Sequence, residues 1–142
     1  MKKKIFGIIA AILIVLFGLC MCSSEPADPN PYDVKVSKET VTSDWGGDKV
    51  LIVDYEWTNC DPDSASLASI YKIKAYQDGI ELSEAFLIDG NWNFDSYYNE
   101  IKPDATQTFQ RAYELNNKSE VTIEFYDMWN SDPVISQTIS IE

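Results

Sequence analysis

Residues 50–58 read VLIVDYEWT, and this stretch decides the fold class. Every second residue from position 51 to position 57 is large and apolar, namely Leu51, Val53, Tyr55 and Trp57. From Asp54 onward the residues between them are polar. Because successive side chains of a strand point to opposite faces, this period of two is typical of a β-strand with one face on a core and the other in water. The sequence therefore predicts a strand here.

The same alternation recurs on both sides of this strand. It is found in residues 32–37, 71–76, 106–115, 121–126 and 134–141. Asp78-Gly79 is a strong hairpin signal, after which residues 80–82 can pair back. No long stretch has the 3.6-residue period of a helix. About seven short strands in 110 residues predict an all-β, immunoglobulin-like antiparallel β-sandwich over residues 32–142.

The first 22 residues are typical of a secretory signal. Lys2, Lys3 and Lys4 precede an uncharged apolar run over residues 5–22, and the lysines predict a cytoplasmic N-terminus with the remaining chain outside. The end of this run resembles the lipobox of bacterial lipoproteins, with Leu19 three places before Cys22. We therefore expect a lipid anchor on Cys22, with Cys20 as the alternative. An uncleaved membrane anchor, and cleavage with release (for instance after Ser24), remain open.

The segment between the signal and the sandwich predicts a tether. Residues 23–31 read SSEPADPNP, and three prolines among small polar residues favour an extended backbone that cannot pack a core. Nine residues reach about 30 Å at most. The sandwich would therefore stay close to the outer face of the cell membrane.

Charge and residue types exclude several functions. Residues 23–142 carry eight Lys or Arg against 23 Asp or Glu, a formal charge of −15, which excludes nucleic-acid binding through clustered cations. The absence of histidine removes the usual near-neutral general base, and the sequence predicts neither a cofactor nor an enzyme. Cys60 is the only cysteine after residue 22, so if Cys22 is lipidated and Cys20 leaves with the signal, we expect Cys60 to be a lone thiol.

Residues 83–100 interrupt the strand pattern and contain the candidate sites. Residues 83–88 predict a short helix or an irregular strand, and residues 89–100 a long loop. Four aromatic residues of this loop could stack on a sugar or a protein partner, or could instead fold back over the core: Trp92, Phe94, Tyr97 and Tyr98. Weak candidates for calcium ligands follow the spacing of a twelve-residue calcium loop: Asp89, Asn91, Asn93 and Glu100. Phe94 stands where such loops need glycine, so we expect no metal.

Several short motifs carry a family resemblance. They are residues 55–59 (YEWTN), 77–82 (QDGIEL), 101–106 (IKPDAT), 112–115 (AYEL) and 121–124 (VTIE). In this order they resemble an uncharacterised family of extracellular lipoprotein domains of Gram-positive bacteria, related to telokin-like immunoglobulin-fold domains. The resemblance covers residues 32–142 and implies a sandwich outside the membrane. It implies no activity, and Asp104 replaces a glycine that is usual after the proline.

Two functions from different classes fit these observations. The first is a membrane-anchored extracellular lipoprotein whose immunoglobulin-like domain binds an unknown protein or glycan without catalysis. The alternative is an envelope glycan hydrolase that uses paired carboxylates, for which 23 acidic residues offer many pairs.

Overall fold

The computed structural model describes residues 32–88 and 90–142, and these residues build two antiparallel sheets. The three-stranded sheet has the order β1-β2-β5 and the four-stranded sheet the order β4-β3-β6-β7. The strands are β1 (Lys35–Ser43), β2 (Lys49–Thr58), β3 (Tyr71–Gln77), β4 (Ile80–Glu81), β5 (Thr106–Glu114), β6 (Val121–Asp127) and β7 (Ile135–Ile139). One helical turn, α1 (Leu67–Ile70), precedes β3. The all-β sandwich of seven strands is confirmed.

Strand order follows the immunoglobulin pattern. Strands one, two and five form one sheet, and strands three, four, six and seven form the other, as strands A, B, E and C, C′, F, G do in immunoglobulin domains. Antiparallel pairing of β2 with β1 and β5 places β2 at the centre of the smaller sheet. The stretch from which the fold class was predicted is therefore the central strand of that sheet.

Odd-numbered residues of β2 face the space between the sheets, as the alternation predicts. Tyr55 and Trp57 are fully buried, and the ring of Tyr55 stacks on Phe109 with 4.9 Å between centroids. Phe125, from the opposite sheet, meets Tyr55 edge-on at 5.9 Å. Offset and edge-on ring pairs each add about 0.5–1.5 kcal/mol to the burial of apolar area. Aromatic contacts across the two sheets thus form the centre of the core.

The sandwich has two chemically different ends. Tyr32, the first described residue, lies beside the last residue of β2, since the Thr58 amide donates to the Tyr32 carbonyl at 3.3 Å. The Tyr32 hydroxyl also donates to Asp61 Oδ2 at 2.9 Å. We call this the tether end, because the preceding residues join the sandwich here. Since Ser43 of β1 pairs with Lys49 of β2, the β1–β2 turn lies at the opposite, distal end.

Residues 83–88 are extended rather than helical, and most of residues 90–100 lie in the expected loop. The Ala85 amide donates to the Ala112 carbonyl at 2.8 Å, and the Glu114 amide donates to the Ser83 carbonyl at 2.9 Å. This segment therefore extends along the edge of β5, which agrees with the irregular strand and not with the short helix. A single 3-10 turn follows at Asp95–Tyr98. Asp104 has a φ of 63°, the left-handed conformation that explains why glycine is usual at this position.

Candidate functional site

Residues 84–94 cover part of the outer face of the three-stranded sheet. Val50, Ile52 and Ala112 point away from the main core and are buried beneath this segment. The residues that cover them are Ala85, Leu87, Trp92 and Phe94. Because side chains alternate along an extended segment, Phe86 and Ile88 face outward, with 87% and 83% of their surface exposed. The segment therefore builds a small second core and presents apolar side chains to solvent.

Trp92 and Phe94 are half-buried in this second core. Their rings stack with 6.3 Å between centroids and an angle of 18°. A Cβ atom on Gly90 would lie 2.9 Å from Cε2 of the Trp92 indole, so only glycine lets the ring approach this closely. The indole of Trp92 is thus held in one orientation between the backbone of Gly90 and the ring of Phe94.

Tyr97 belongs to the main core, and only Tyr98 is an open ring. The Tyr97 hydroxyl donates to the Tyr71 carbonyl, and its ring lies 5.4 Å from that of Phe109. Burial raises the pKa of Tyr97 well above its ordinary value. Tyr98 is 64% exposed and meets Tyr97 edge-on. Of the four rings expected to be available to a partner, Tyr97 is therefore inaccessible, which corrects the expectation for that residue.

Arg111, the only arginine in the sequence, fixes this arrangement from beneath. Its guanidinium lies 4.8 Å from the centroid of the Tyr97 ring and forms an ion pair with Glu84. The Arg111 side chain is 13% exposed, whereas that of Glu84 is 48% exposed, so water screens the pair. Arg111 therefore acts mainly by packing between the covering segment and the core.

The calcium-loop spacing does not produce a set of converging ligands. Asp89 lies outside the described residues. The Asn93 side chain is already used in hydrogen bonds: its Nδ2 donates to the Thr108 carbonyl of β5 at 2.9 Å, and its Oδ1 accepts from Ser96. Glu100 follows the 3-10 turn and is exposed. In residues 32–88 and 90–142 no three His, Cys, Asp or Glu side chains form a group that could hold a metal ion.

Two depressions flank the covering segment. A cleft of about 440 Å³ lies between the β1–β2 turn and residues 87–92, and we call it the Trp45–Trp92 cleft. It is lined by Thr42, Ser43, Asp44, Trp45, Leu87, Ile88 and Trp92. A smaller hollow of about 150 Å³ is lined by Glu84, Ala85, Phe86, Phe94, Asp95, Tyr98, Arg111 and Ala112. Both have exposed apolar side chains at their rims.

These observations define one continuous candidate surface, which we call the aromatic surface. Its exposed members are Trp45, Phe86, Ile88 and Tyr98. Of these, Tyr98 was named as a candidate from the sequence, and Trp45, Phe86 and Ile88 were not. The alternation of Ala85 and Leu87 with Phe86 and Ile88 was the available signal, because it predicts one covered and one open face if the segment is extended.

Comparison with known proteins places the chain in a family. Residues 22–127 match the model of a domain of unknown function, DUF5067. The chain belongs to the DUF5067 family. This agrees with the uncharacterised lipoprotein-domain family that the sequence motifs resemble. No curated protein matches the chain.

Solved structures share the fold of this DUF5067 domain. A candidate lipoprotein of Staphylococcus aureus aligns with a TM-score of 0.61 at 13% identity, covering 76% of this chain and 82% of that protein. A protein of Enterococcus faecalis aligns with a TM-score of 0.55 at 21% identity, covering 77% and 84%. A candidate lipoprotein of Bacillus subtilis aligns with a TM-score of 0.55 at 15% identity, covering 76% of this chain but 36% of that one. At these identities the likeness extends to the fold alone.

One cysteine of the DUF5067 chain lies in the described residues. Cys60 is half-buried and disulfide-bonded. A lone thiol is expected only of a chain whose Cys22 carries lipid and whose Cys20 has been removed, and this stays a prediction. Cys20, Cys22, the signal and the tether lie outside the described residues. In the part of the chain that the structure describes, no helix is long and apolar enough to cross a membrane.

Gly90→Ala tests whether the backbone holds the Trp92 indole. Gly90 and Gly47 both have positive φ, 113° and 87°, so alanine at either position costs about 1–2 kcal/mol of backbone strain. Only at Gly90 would the new Cβ also contact the indole. We expect Gly90→Ala to lower stability more than Gly47→Ala and to shift the Trp92 indole resonance in NMR spectra. Equal losses, with Trp92 unmoved, would contradict this assignment.

Proposed function

We propose that this protein is a lipoprotein held on the outer face of the cell membrane, where its sandwich binds an envelope protein or glycan without catalysis. The basic and apolar N-terminal sequence supports export, and the lipobox-like position of Cys22 supports lipid attachment. Two proteins of similar fold, from Staphylococcus aureus and Bacillus subtilis, are described as candidate lipoproteins. Stable attachment generally takes two acyl chains, which a diacylated cysteine supplies.

The observation that carries the binding role is the aromatic surface. Large apolar side chains cost free energy when they remain in water, and clustered exposure on a small domain marks interaction sites. Phe86 and Ile88 are held outward by a segment whose alternate residues, Ala85 and Leu87, are half-buried against the sheet. Their exposure is therefore a consequence of the fold. A partner that covers them would remove this apolar area from water, which favours binding.

A non-catalytic role is supported by what the acidic side chains near this surface do. Glu84 and Asp95 both line the smaller hollow, and they are the pair that a carboxylate-based glycan hydrolase would use there. Glu84 is already engaged in an ion pair with Arg111, so it is not a free carboxylate of such a pair. Turnover of cell-wall glycans by the purified protein, lost in Asp95→Asn, would favour the hydrolase and overturn our proposal.

Mass spectrometry of protein extracted from membranes tests the anchor. We expect loss of residues 1–21 together with the mass of a diacylglyceryl group, which marks Cys22. Loss of residues 1–19 with the same added mass would assign the lipid to Cys20. If Cys22 carries the lipid, its sulfur is part of a thioether and cannot form a disulfide with Cys60. Spectra recorded before and after reduction therefore also show whether Cys60 is in a disulfide. An unmodified chain in the soluble fraction would contradict anchoring.

Capture from the native envelope tests binding. The full chain in detergent is the bait, and we expect the double variant Phe86→Ser, Ile88→Ser to lose its partner. Ile80→Ser is the matched control, because Ile80 is also exposed but lies on β4 in the other sheet. Only capture that the control retains and the double variant loses supports the proposal. Capture that is unchanged in the double variant would show that the aromatic surface is not the site.

A further inference from the structure

We propose that the Trp45–Trp92 cleft binds an uncharged saccharide. This inference rests on the proposed binding function and assigns a ligand class to one part of the aromatic surface. A cleft of about 440 Å³ has the size of a small-molecule site, and such sites combine apolar walls with a few polar groups. Indole rings provide flat apolar area for the C–H faces of a sugar. Protein hydroxyl groups donate to and accept from the hydroxyls of the sugar, and a carboxylate accepts from them.

Trp45 supplies the exposed wall of the cleft. It is 80% exposed, although its backbone lies in a turn closed by several hydrogen bonds. The Asp44 amide donates to the Asp48 carbonyl at 2.9 Å, and the Gly47 amide donates to the Asp44 carbonyl at 3.1 Å. The Asp48 amide also donates to Asp44 Oδ1 at 2.9 Å. The backbone of the turn is thus ordered by its own contacts, and it presents the exposed Trp45 ring at the edge of the cleft.

Trp92 supplies a second indole, which is held by Gly90 and by the Phe94 ring. The two tryptophans come from elements 47 residues apart in sequence, the β1–β2 turn and the covering segment. A ligand between them would contact two rings carried by separate elements. The indole of Trp92 is already held in place, which reduces the conformational entropy that binding would otherwise cost.

Polar groups of the cleft favour an uncharged ligand. Thr42 and Ser43 contribute hydroxyl groups, and Ser43 Oγ accepts from Lys49 Nζ at 3.1 Å, which leaves the Ser43 hydroxyl proton to donate elsewhere. Asp44 brings the only charge among the seven lining residues, and it is negative. With a formal charge of −15 on residues 23–142, an anionic glycan would be repelled.

Protein partners suit this cleft less well than sugars do. A stable protein interface usually buries about 800 Å² on each partner, and a concave site between two ring systems offers less than that. The wider aromatic surface, with Phe86 and Ile88, could add a protein contact. Capture that depends on Phe86 and Ile88 is therefore a separate outcome from sugar binding in the cleft.

NMR titration of the ¹⁵N-labelled full chain in detergent micelles tests the inference. The four tryptophans give four indole N–H signals, so each spectrum contains its own controls. We expect chitotriose or maltotriose, both uncharged, to shift the Trp45 and Trp92 signals. Trp57, which is buried, and Trp129, which is exposed at the tether end, should not move. Trigalacturonate, the anionic trisaccharide, should shift neither Trp45 nor Trp92.

Variants make the test specific. Trp45→Ala should weaken binding of the active trisaccharide about tenfold, which corresponds to about 1.4 kcal/mol, and Trp45→Phe should restore part of it. Trp129→Ala, an equally exposed tryptophan in another turn, should leave the affinity unchanged.

Three results would overturn the inference: no shift with either uncharged sugar, equal shifts at Trp129, or tighter binding of trigalacturonate. If envelope capture through Phe86 and Ile88 persists in that case, the saccharide assignment fails and the proposed binding function stands. If capture is also absent, both fail.

Discussion

Trp57→Ala is expected to lower the free energy of unfolding by about 3–5 kcal/mol, the range observed when a large buried aromatic side chain is truncated. Trp57 is fully buried at the end of β2, whereas Trp129 is 94% exposed. The same substitution at Trp129 should therefore change stability by less than about 0.5 kcal/mol. Urea denaturation followed by circular dichroism measures both values.

Both variants replace tryptophan by alanine, so a difference between their losses of stability reports the burial of the side chain and not the type of residue. Total stabilities of small domains are about 5–15 kcal/mol, so Trp57→Ala would remove a large part of the stability of this one. A loss at Trp57 no greater than that at Trp129 would mean that β2 does not face the core in the register described, and the assignment of the fold would fail with it.

The second large effect is a steep loss of stability in alkaline solution. Burial raises the pKa of Tyr55, Tyr113 and Tyr97 in the folded protein, while the unfolded chain ionises near pH 10. Their contribution is thus complete below about pH 10 and is lost as the pH rises towards the folded pKa values. In that window each buried phenol lowers the free energy of unfolding by about 1.4 kcal/mol per pH unit. The three phenols together therefore lower it by about 4 kcal/mol per pH unit.

Denaturation at several alkaline pH values, with phenolate absorbance recorded in parallel, measures this slope. Tyr55→Phe should reduce the slope by about 1.4 kcal/mol per pH unit, because it removes one buried phenol, whose hydroxyl lies 3.0 Å from that of Tyr113. Tyr98→Phe is the matched control on an exposed ring and should change the slope less than Tyr55→Phe does. The chain has eight tyrosines, and absorbance showing that all of them have ionised before the fold is lost would contradict the burial of these three rings.

Strand positions were predictable because one face of each sheet meets the core. In β2 and β6 the period of two gave both the strand and the direction of its side chains, as at Tyr55 and Phe125. Arg111 broke this pattern on β5, since a charged residue stands at an inward position. The ring of Tyr97 and the carboxylate of Glu84 accommodate it, and both are distant in sequence.

The candidate site was only partly predictable, because it depends on where residues 83–98 pack. Periodicity identified an irregular, aromatic-rich segment but could not say which rings would turn inward. That choice is made by contacts with β5, such as the bond of 2.8 Å from the Gln110 amide to the Asn93 carbonyl. Tyr97 reaches the core for the same reason, since the 3-10 turn places it against Phe109.

The opposite placement of Tyr32 and Trp45 sets how far the proposed site would stand from the bilayer. β2 joins the two ends with ten residues, about 33 Å of strand, and residues 23–31 add up to about 30 Å. If the tether end is attached to the lipid, the distal end can reach any point within a layer some tens of ångströms thick above the membrane. Ligands that are themselves held within this layer would meet the site at a raised effective concentration, so a weak affinity for each ligand would suffice for capture.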